Sequence, residues 1–331
     1  MIDSIVHNVW VIIAFKSVAC LLIFLTVPLI IGQTEHKAMA HMQSRVGPMY
    51  AGAFHGWAQL VADGIKFVQK EDVVPDNADP AVFKLAPAVS LLPALFVLVV
   101  IPWGPGLVAE KLDIGLFYAL AISSVSTIGM LMAAWSSANK FSLLGGIRGA
   151  AQLIAYELPL LLSAAAVAML AGSLSLVQIA AAWEWWWLVF LAPAAFTFFV
   201  ASLAELNRPP FDMPVADSEI IFGHMTEYTG LRFAFFLLTE YAGIVVAGAL
   251  FAVLFLGGWR GPFASAHLGA IWMFIKIFAF GFVVIWLRVS YPRLREDQLQ
   301  KYCWKFLIPL SLAQVFVAAA VKLYLPWAKG V

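Results

Sequence analysis

The 331-residue chain is 63% hydrophobic and only 12% charged, with 26 phenylalanines and 13 tryptophans. With a mean hydropathy of +0.91, this composition excludes an ordinary soluble domain and predicts an integral membrane protein with a single membrane domain, residues 1–331. The net charge of +1 gives no reason to expect nucleic-acid binding.

Motifs that hold redox or metal cofactors are missing from the sequence. The two cysteines, Cys20 and Cys303, offer no disulfide framework and no iron–sulfur ligand set. There is no GxGxxG, P-loop or HExxH motif. We therefore expect no metal site and no cofactor bound by this chain. The first apolar span lacks a charged n-region and a small-residue cleavage site, which favours a retained helix over a signal peptide.

Eight segments are apolar and long enough to cross a bilayer, which takes about 20 residues. They cover approximately residues 9–31, 81–102, 115–138, 150–172, 185–204, 231–256, 269–289 and 304–326. Between the first two, the segment 53–70 places its apolar side chains on one helical face: Phe54, Trp57, Leu60, Val61, Ile65 and Val68. The expected fold is all-α, with about eight transmembrane helices and an amphipathic interfacial helix after the first span.

The distribution of basic residues predicts the orientation. Most of the 20 Lys and Arg residues fall in loops on one side of the predicted bundle, which we assign to the cytoplasm, or to the matrix in a mitochondrion. Both termini then lie on the outer, periplasmic side of a multi-pass protein of the plasma membrane. The run WEWWW at 183–187 falls at the outer interface, as an aromatic belt does. Lys16 and Lys276 lie in the outer halves of their spans, which favours snorkelling over a transport role.

Acidic residues concentrate in and beside the later spans. Six of the 19 fall in one short segment: Glu205, Asp212, Asp217, Glu219, Glu227 and Glu240. Glu157 and Glu240 lie inside the fourth and sixth spans. A carboxylate within the bilayer costs at least a few kcal/mol, so such residues indicate a polar cavity that handles protons, cations or a polar ligand head. The alternative is a set of structural hydrogen bonds to Ser, Thr or Tyr.

The loop between the fifth and sixth spans has an unusual pattern. Pro209 and Pro210 end the fifth span, and Asn207 and Arg208 are placed to cap its last carbonyls. The acids of this loop then alternate with apolar residues. This alternation favours a segment half-buried against a cavity or partner over a simple acidic surface loop.

Two other polar segments lie on the predicted cytoplasmic side. The first contains EHKAMAHMQSRVGP and leads into the interfacial helix. Its charged side chains are either a solvated face or part of a site. The last, RVSYPRLREDQLQKYCWK, is basic. This charge fits either the usual excess of basic residues in cytoplasmic loops or the docking of an acidic soluble partner.

At these residues the chain resembles the H subunit of proton-translocating NADH–quinone oxidoreductase (complex I), equivalent to mitochondrial subunit 1. The matching stretches run along almost the whole chain: EHKAMAHMQSRVGP, ADGIKFVQKEDVVP, KFSLLGGIRGAAQLIAYELPL, AELNRPPFD, DSEIIFGHMTEYTGLRFA and YPRLREDQLQKYCWK. The resemblance implies a heel subunit that joins the membrane arm to the peripheral arm. Such a subunit walls the quinone chamber and begins the acidic path that couples quinone reduction to proton translocation.

The resemblance also implies roles for individual residues. The quinone-chamber candidates are Arg45, Asp63, Glu35, Lys37, Phe211, Phe222 and Glu227. The proton-path candidates are Glu157, Glu205, Asp212, Asp217, Glu219, Glu227 and Glu240. The candidates for docking the peripheral arm are Arg288, Arg293, Arg295 and Asp297. Quinone would be the substrate at a site shared with partner subunits, which would carry the flavin and the iron–sulfur clusters. The partners would be the peripheral-arm quinone-site subunits, the neighbouring membrane-arm subunits and lipid, and the chain would not be catalytic alone.

The sequence departs from the family pattern at three places. PVADSE stands where PEAESE is usual, so Val215 replaces a carboxylate. EHK stands for ERK, which places His36 after Glu35, and Tyr50 stands near an expected arginine. The lipid electron carrier stays open, as does an equivalent anchor role in a ferredoxin-, deazaflavin- or hydrogenase-linked complex. A stand-alone cation/proton antiporter is a further alternative. The sequence argues against it, because no buried lysine lies mid-span beside the glutamates.

Overall fold

The computed structural model describes residues 9–261 and 268–324, and within these ranges the chain is helical and contains no β-strand. In chain order the helices are α1 (Val9–Met42), α2 (Gln59–Gln69), α3 (Pro80–Val100), α4 (Gly115–Ser136), α5 (Lys140–Ala171), α6 (Leu176–Ala182), α7 (Trp185–Phe190), α8 (Ala192–Glu205), α9 (Asp217–Ile220), α10 (Gly230–Phe255), α11 (Gly269–Ser290), α12 (Glu296–Tyr302) and α13 (Ile308–Tyr324). A 3₁₀ turn, Gly223–Met225, precedes α10, and a π-helical turn, Cys303–Leu307, joins α12 to α13.

The expectation of an all-α integral membrane protein is confirmed. Seven helices of the described ranges are long and apolar enough to cross a membrane, counting Glu296–Tyr324 as one. The expected fifth span is not one continuous helix, because α7 ends at Phe190 and α8 begins at Ala192. Pro193 lies in the first turn of α8, where a proline is tolerated because that backbone N–H has no helical partner.

The interfacial helix is shorter than expected. It begins at Gln59 because the preceding Gly52, Ala53, His55 and Gly56 all have positive φ and form turns. Along α2, Val61, Ile65 and Val68 are exposed, as is Trp57 just before it. The apolar stripe expected from the sequence is therefore present and uncovered by this chain, which suits a helix at a membrane surface.

The bundle is organised around α5 and α10. α5 packs against α4, α8 and α13, and α10 packs against α1, α3 and α11. Small residues allow close approach: a Cβ on Gly129 of α4 would lie 2.4 Å from the backbone nitrogen of Ser90 on α3. A Cβ on Gly145 of α5 would lie 2.7 Å from the carbonyl of Pro214, so Gly145 admits the loop that follows α8.

The two lysines inside spans both bind backbone carbonyls. Lys276 on α11 donates to the carbonyls of Leu256, Gly258 and Arg260 at 2.5, 2.7 and 2.6 Å. It thereby fixes the turn that follows α10, whose carbonyls have no helical partners. Lys16 donates to the carbonyl of Ala109 at 2.7 Å. Both ammonium groups therefore bind backbone carbonyls and are not positioned beside the buried acids.

Candidate functional site

A cavity of about 100 Å³ with a mixed apolar and polar lining lies between α3, α4, α8 and α10. Glu205, the last residue of α8, and Glu240, in the middle of α10, both line it. The other polar groups of its wall are hydroxyl, amide and imidazole side chains: Ser90, Ser123, Ser126, Thr127, Asn207, His224 and Thr239. Two of the proton-path candidates therefore share one polar space inside an apolar bundle.

A third acid adjoins this space from α5. Ser124 donates a hydrogen bond to Glu157 Oε1 at 2.9 Å. The adjacent Ser123 contacts Glu205, and Glu157 lies close enough to Glu205 for their charges to interact. Ser123 and Ser124 are consecutive on α4, so one turn of this helix contacts both carboxylates.

Glu35 lies at the centre of a buried ion network. Its side chain is 1% exposed and accepts bonds from Arg208 Nη1 at 3.0 and 3.2 Å, and from Arg288. Arg208 Nη2 lies 3.2 Å from Glu240 Oε2, and the guanidinium stacks over the ring of Tyr241, 4.8 Å from its centroid. Burial lowers the pKa of Arg208, but the charges of Glu35 and Glu240 raise it overall, so Arg208 stays a cation. A loop residue therefore links α1 to α10.

The expectation that Arg208 caps α8 is wrong, because its guanidinium is engaged by these acids. Gln152 of α5 does that work instead. Its Nε2 donates to the carbonyl of Ala204 at 2.6 Å, to Asn207 Oδ1 at 3.2 Å and to the carbonyl of Phe211 at 2.9 Å. The signal available in the sequence was a lone amide in an apolar span, which is rarely placed there without a partner.

The loop after α8 is tied to the bundle by its acids. Arg293 Nη2 lies 3.1 Å from Asp212, and Arg148 pairs with Glu219. Glu227 accepts a hydrogen bond from Asn139, the residue before α5. Asp212, Glu219 and Glu227 are therefore held by separate partners, which are Arg293 between α11 and α12, Arg148 on α5 and Asn139 just before α5, and they do not form one cluster. Asp217 begins α9, and its side chain lies outside the part that the structure describes.

The two loop phenylalanines differ in burial. Phe211 is 4% exposed and belongs to the core, whereas Phe222 is 44% exposed and meets Phe233 edge-on. Only Phe222 presents an aromatic surface outward. The alternation expected from the sequence thus becomes a segment with one side buried.

A second, open pocket of about 440 Å³ lies where α1 ends and α2 begins. Its wall includes His36, Arg45, Gln59 and Asp63. Asp63 accepts from Gln59 and from Lys66, each at 3.0 Å, and Arg45 Nε donates to Gln43 at 2.7 Å. Arg45 and Asp63, two of the quinone-chamber candidates, therefore line one pocket.

The other two chamber candidates of this region point elsewhere. Lys37 donates to the carbonyl of Pro48 and approaches the sulfur of Met49 at 3.1 Å. Glu35 belongs to the ion network with Arg208. Because Glu35 and His36 are consecutive on α1, the pocket and the network are neighbours along the same helix.

The four docking candidates divide into two pairs. Arg288 and Arg293 form ion pairs within this chain, with Glu35 and Asp212. Arg295 and Asp297 pair with each other at 3.3 Å and remain exposed. Only the second pair lies on an open surface of the described chain.

The sequence patterns did not indicate one titratable residue of the cavity wall. His224 lies in the 3₁₀ turn before α10 and is only 6% exposed. Burial lowers the pKa of His224 to about 4, so the ring is neutral near pH 7. A single histidine in a loop carries no burial signal of its own, which is why sequence patterning did not find it.

A family model and curated proteins both match most of this chain. The family model described as NADH dehydrogenase matches residues 15–319. A curated relative from Bacillus mycoides (strain KBAB4), named as the H subunit of NADH-quinone oxidoreductase, is 46% identical over 290 residues, covering 87% of each chain. Relatives of the same name from Bacillus cereus (strain B4264) and Bacillus thuringiensis subsp. konkukian (strain 97-27) are each 45% identical over 290 residues, again 87% of each chain.

Proposed function

Since the chain belongs to the NADH dehydrogenase family, as a membrane subunit of an NADH–quinone oxidoreductase, we propose that it walls the quinone chamber and carries the first carboxylates of the proton path. One observation carries this proposal. The pocket at His36 adjoins Glu35, which Arg208 joins to Glu240 on the cavity that also holds Glu205. Ion pairs therefore connect the helix position next to the pocket with the cavity inside the bundle.

The pocket suits the head of a quinone. Arg45 supplies hydrogen-bond donors to a quinone carbonyl, and Asp63 supplies an acceptor for a quinol hydroxyl. The exposed apolar face of α2 lies beside the pocket, where an isoprenoid tail would enter from the lipid. The chamber would be completed by subunits of the peripheral arm, which also hold the flavin and the iron–sulfur clusters.

The ion network supplies the coupling. Reduction of a quinone takes electrons from the clusters of the partner subunits and protons from side chains of the pocket, which leaves the pocket next to Glu35 more negative. Arg208 lies between Glu35 and Glu240, so a stronger attraction toward Glu35 weakens its hold on Glu240. A buried carboxylate without its cation is costly, and Glu240 then takes up a proton. Glu205 and Glu157 would receive that proton next.

The loop after α8 would respond to the same event. It connects Arg208 to α10, and it is tied down by Asp212 and Glu219. Release of these pairs would let the loop pack in a second way about Gly223 and Gly230, both of which have positive φ. Asp212, Asp217 and Glu219 would then carry the coupling, since Val215 is apolar.

The path is tested by removing single charges in the assembled complex. Glu240→Gln and Glu157→Gln should each lower quinone reductase activity and proton translocation, because the amide can no longer exchange a proton. Glu184→Gln is the matched control, since Glu184 lies just before α7 and bonds Trp186. If both path variants assemble fully and keep wild-type turnover and translocation, the glutamates are structural and the path lies elsewhere.

The dependence on partners has its own test. We expect both termini on the periplasmic side, and an isolated chain that shows no flavin or iron–sulfur absorbance. Quinone reduction by NADH with the purified subunit alone would contradict the proposal. Mass spectrometry of the co-purified complex would identify the electron donor through the partner subunits.

A further inference from the structure

One wall of the cavity between Glu205 and Glu240 carries a histidine that the proposed path does not use. His224 lines this cavity and is 6% exposed. Its ring packs edge-on against Phe236, with centroids 5.4 Å apart, and its Nδ1 accepts or donates no hydrogen bond within the described ranges. Leaving a buried polar nitrogen unpaired costs about 1–3 kcal/mol, so this ring calls for a further hydrogen-bonding group.

His224 is held at the wall by tight packing of its turn. A Cβ on Gly223 would lie 1.8 Å from the carbonyl oxygen of Pro214 and 3.3 Å from the Cα of Val215. Val215 lines the cavity as well, at the position where the family pattern has a carboxylate. Four described residues between α8 and α10 line the cavity, and His224 is the titratable one among them. The loop presents an imidazole to the cavity where an acid was expected.

The charge state of the ring decides what it can bind. Since burial keeps His224 neutral, one ring nitrogen is an N–H donor and the other is an acceptor. An ionised carboxylate can only accept, so it would satisfy one nitrogen and leave the other unpaired. A water molecule donates and accepts, and therefore satisfies either nitrogen.

The cavity suits water. Its volume of about 100 Å³ leaves room for a few molecules, since each occupies about 30 Å³ in the liquid. Thr127 of α4, Asn207 of the loop after α8 and Thr239 of α10 also line the cavity and supply further hydroxyl and amide groups. Buried waters require two to four polar partners each, and this wall offers them.

We propose that His224 anchors, through both ring nitrogens, a cluster of water molecules that joins Glu205 to Glu240. This inference rests on the proposed proton path and deepens it. A proton leaves one protonated carboxyl, passes along the water molecules and reaches the other carboxylate, with no change of redox state. His224 is a positioning residue in this step, because it orients the water and ends with the proton count it began with.

Two variants in the assembled complex separate water anchoring from packing. His224→Phe keeps a ring against Phe236 but removes both nitrogens. His224→Gln keeps one donor and one acceptor but cannot titrate. We expect about a tenfold lower rate of proton translocation for His224→Phe, the loss that follows when positioned hydrogen bonds are removed, and near wild-type translocation for His224→Gln. His41→Phe, at an exposed histidine of α1, is the control.

The results for the two variants either support or overturn the anchoring of water by His224. If His224→Phe translocates like the wild type, the ring serves packing and the inference is wrong. If both variants assemble but translocate poorly, titration of the ring is required and water anchoring is wrong. If neither assembles, a cryo-electron microscopy map of the wild-type complex decides: water density within hydrogen-bond distance of both ring nitrogens supports the inference, and its absence overturns it. The map also separates this inference from the proposed path, which fails independently if Glu240→Gln and Glu157→Gln pump normally.

Discussion

Removal of the Arg208 guanidinium should be the most destabilising loss of a charge in this chain. The Arg208 side chain is 4% exposed and its partner Glu35 is 1% exposed, so neither charge is compensated by water. In Arg208→Met, Glu240 would lose its cation, and Glu35 would keep only Arg288, which is 35% exposed. Breaking a buried pair in this way costs about 3–5 kcal/mol.

The assay is unfolding of the purified subunit in mixed detergent micelles by added sodium dodecyl sulfate, followed by the fluorescence of its 13 tryptophans. Arg295→Met is the matched control, because its side chain is 79% exposed and its pair with Asp297 is worth less than about 1 kcal/mol. Adding Glu35→Gln to Arg208→Met should recover part of the loss, since the uncompensated charge is gone. A free energy of unfolding for Arg208→Met within about 1 kcal/mol of the control would refute the reasoning.

Two further perturbations test the fold around the cavity. Burial lowers the pKa of His224 from 6.5 in the unfolded chain to about 4 in the folded chain. Below pH 6.5 the unfolded chain therefore binds a proton that the folded chain does not. The free energy of unfolding is highest above pH 6.5 and decreases as the pH falls toward 4. Between about pH 7 and about pH 5, the free energy of unfolding of the wild type should decrease by about 2 kcal/mol more than that of His224→Gln. Parallel pH profiles for the two proteins would contradict this. Gly129→Ala should cost about 1–3 kcal/mol, because its Cβ would lie 2.4 Å from Ser90 N. Gly64→Ala, in open space on α2, should be neutral or slightly stabilising, and equal effects of the two substitutions would count against the close packing of α4 on α3.

The positions of the spans could be predicted because bilayer thickness sets the length of an apolar helix and leaves few alternatives. The break between α7 and α8 could not, since Pro193 is compatible both with a continuing helix and with a new first turn. The acids between Glu205 and Glu240 were indicated by their cost in lipid, and Glu35 was indicated only by the resemblance to a family. Their partners were not, because Glu35 and Arg208 lie 173 positions apart and only the packing of α1 beside α10 brings them together.

Neutral polar residues were the hardest to assign. Gln152 and His224 carry no charge pattern, and their roles depend on which backbone or cavity they face. A buried amide or imidazole is recognised only when its hydrogen-bond partners are known. The resemblance to a family located the acids but did not indicate the loop histidine.

We propose that this chain walls a quinone chamber, which would bring the residues of the pocket between α1 and α2 within reach of a bound quinone. The most direct measurement is photolabelling of the assembled complex in membranes with a photoreactive quinone analogue, followed by mass spectrometric mapping of the labelled peptides. We expect labels within residues 36–63, around Arg45 and Asp63, that unlabelled quinone competes away and that Asp63→Asn reduces. Labels confined to partner proteins of the complex, or labels on this chain that excess quinone does not displace, would contradict the claim.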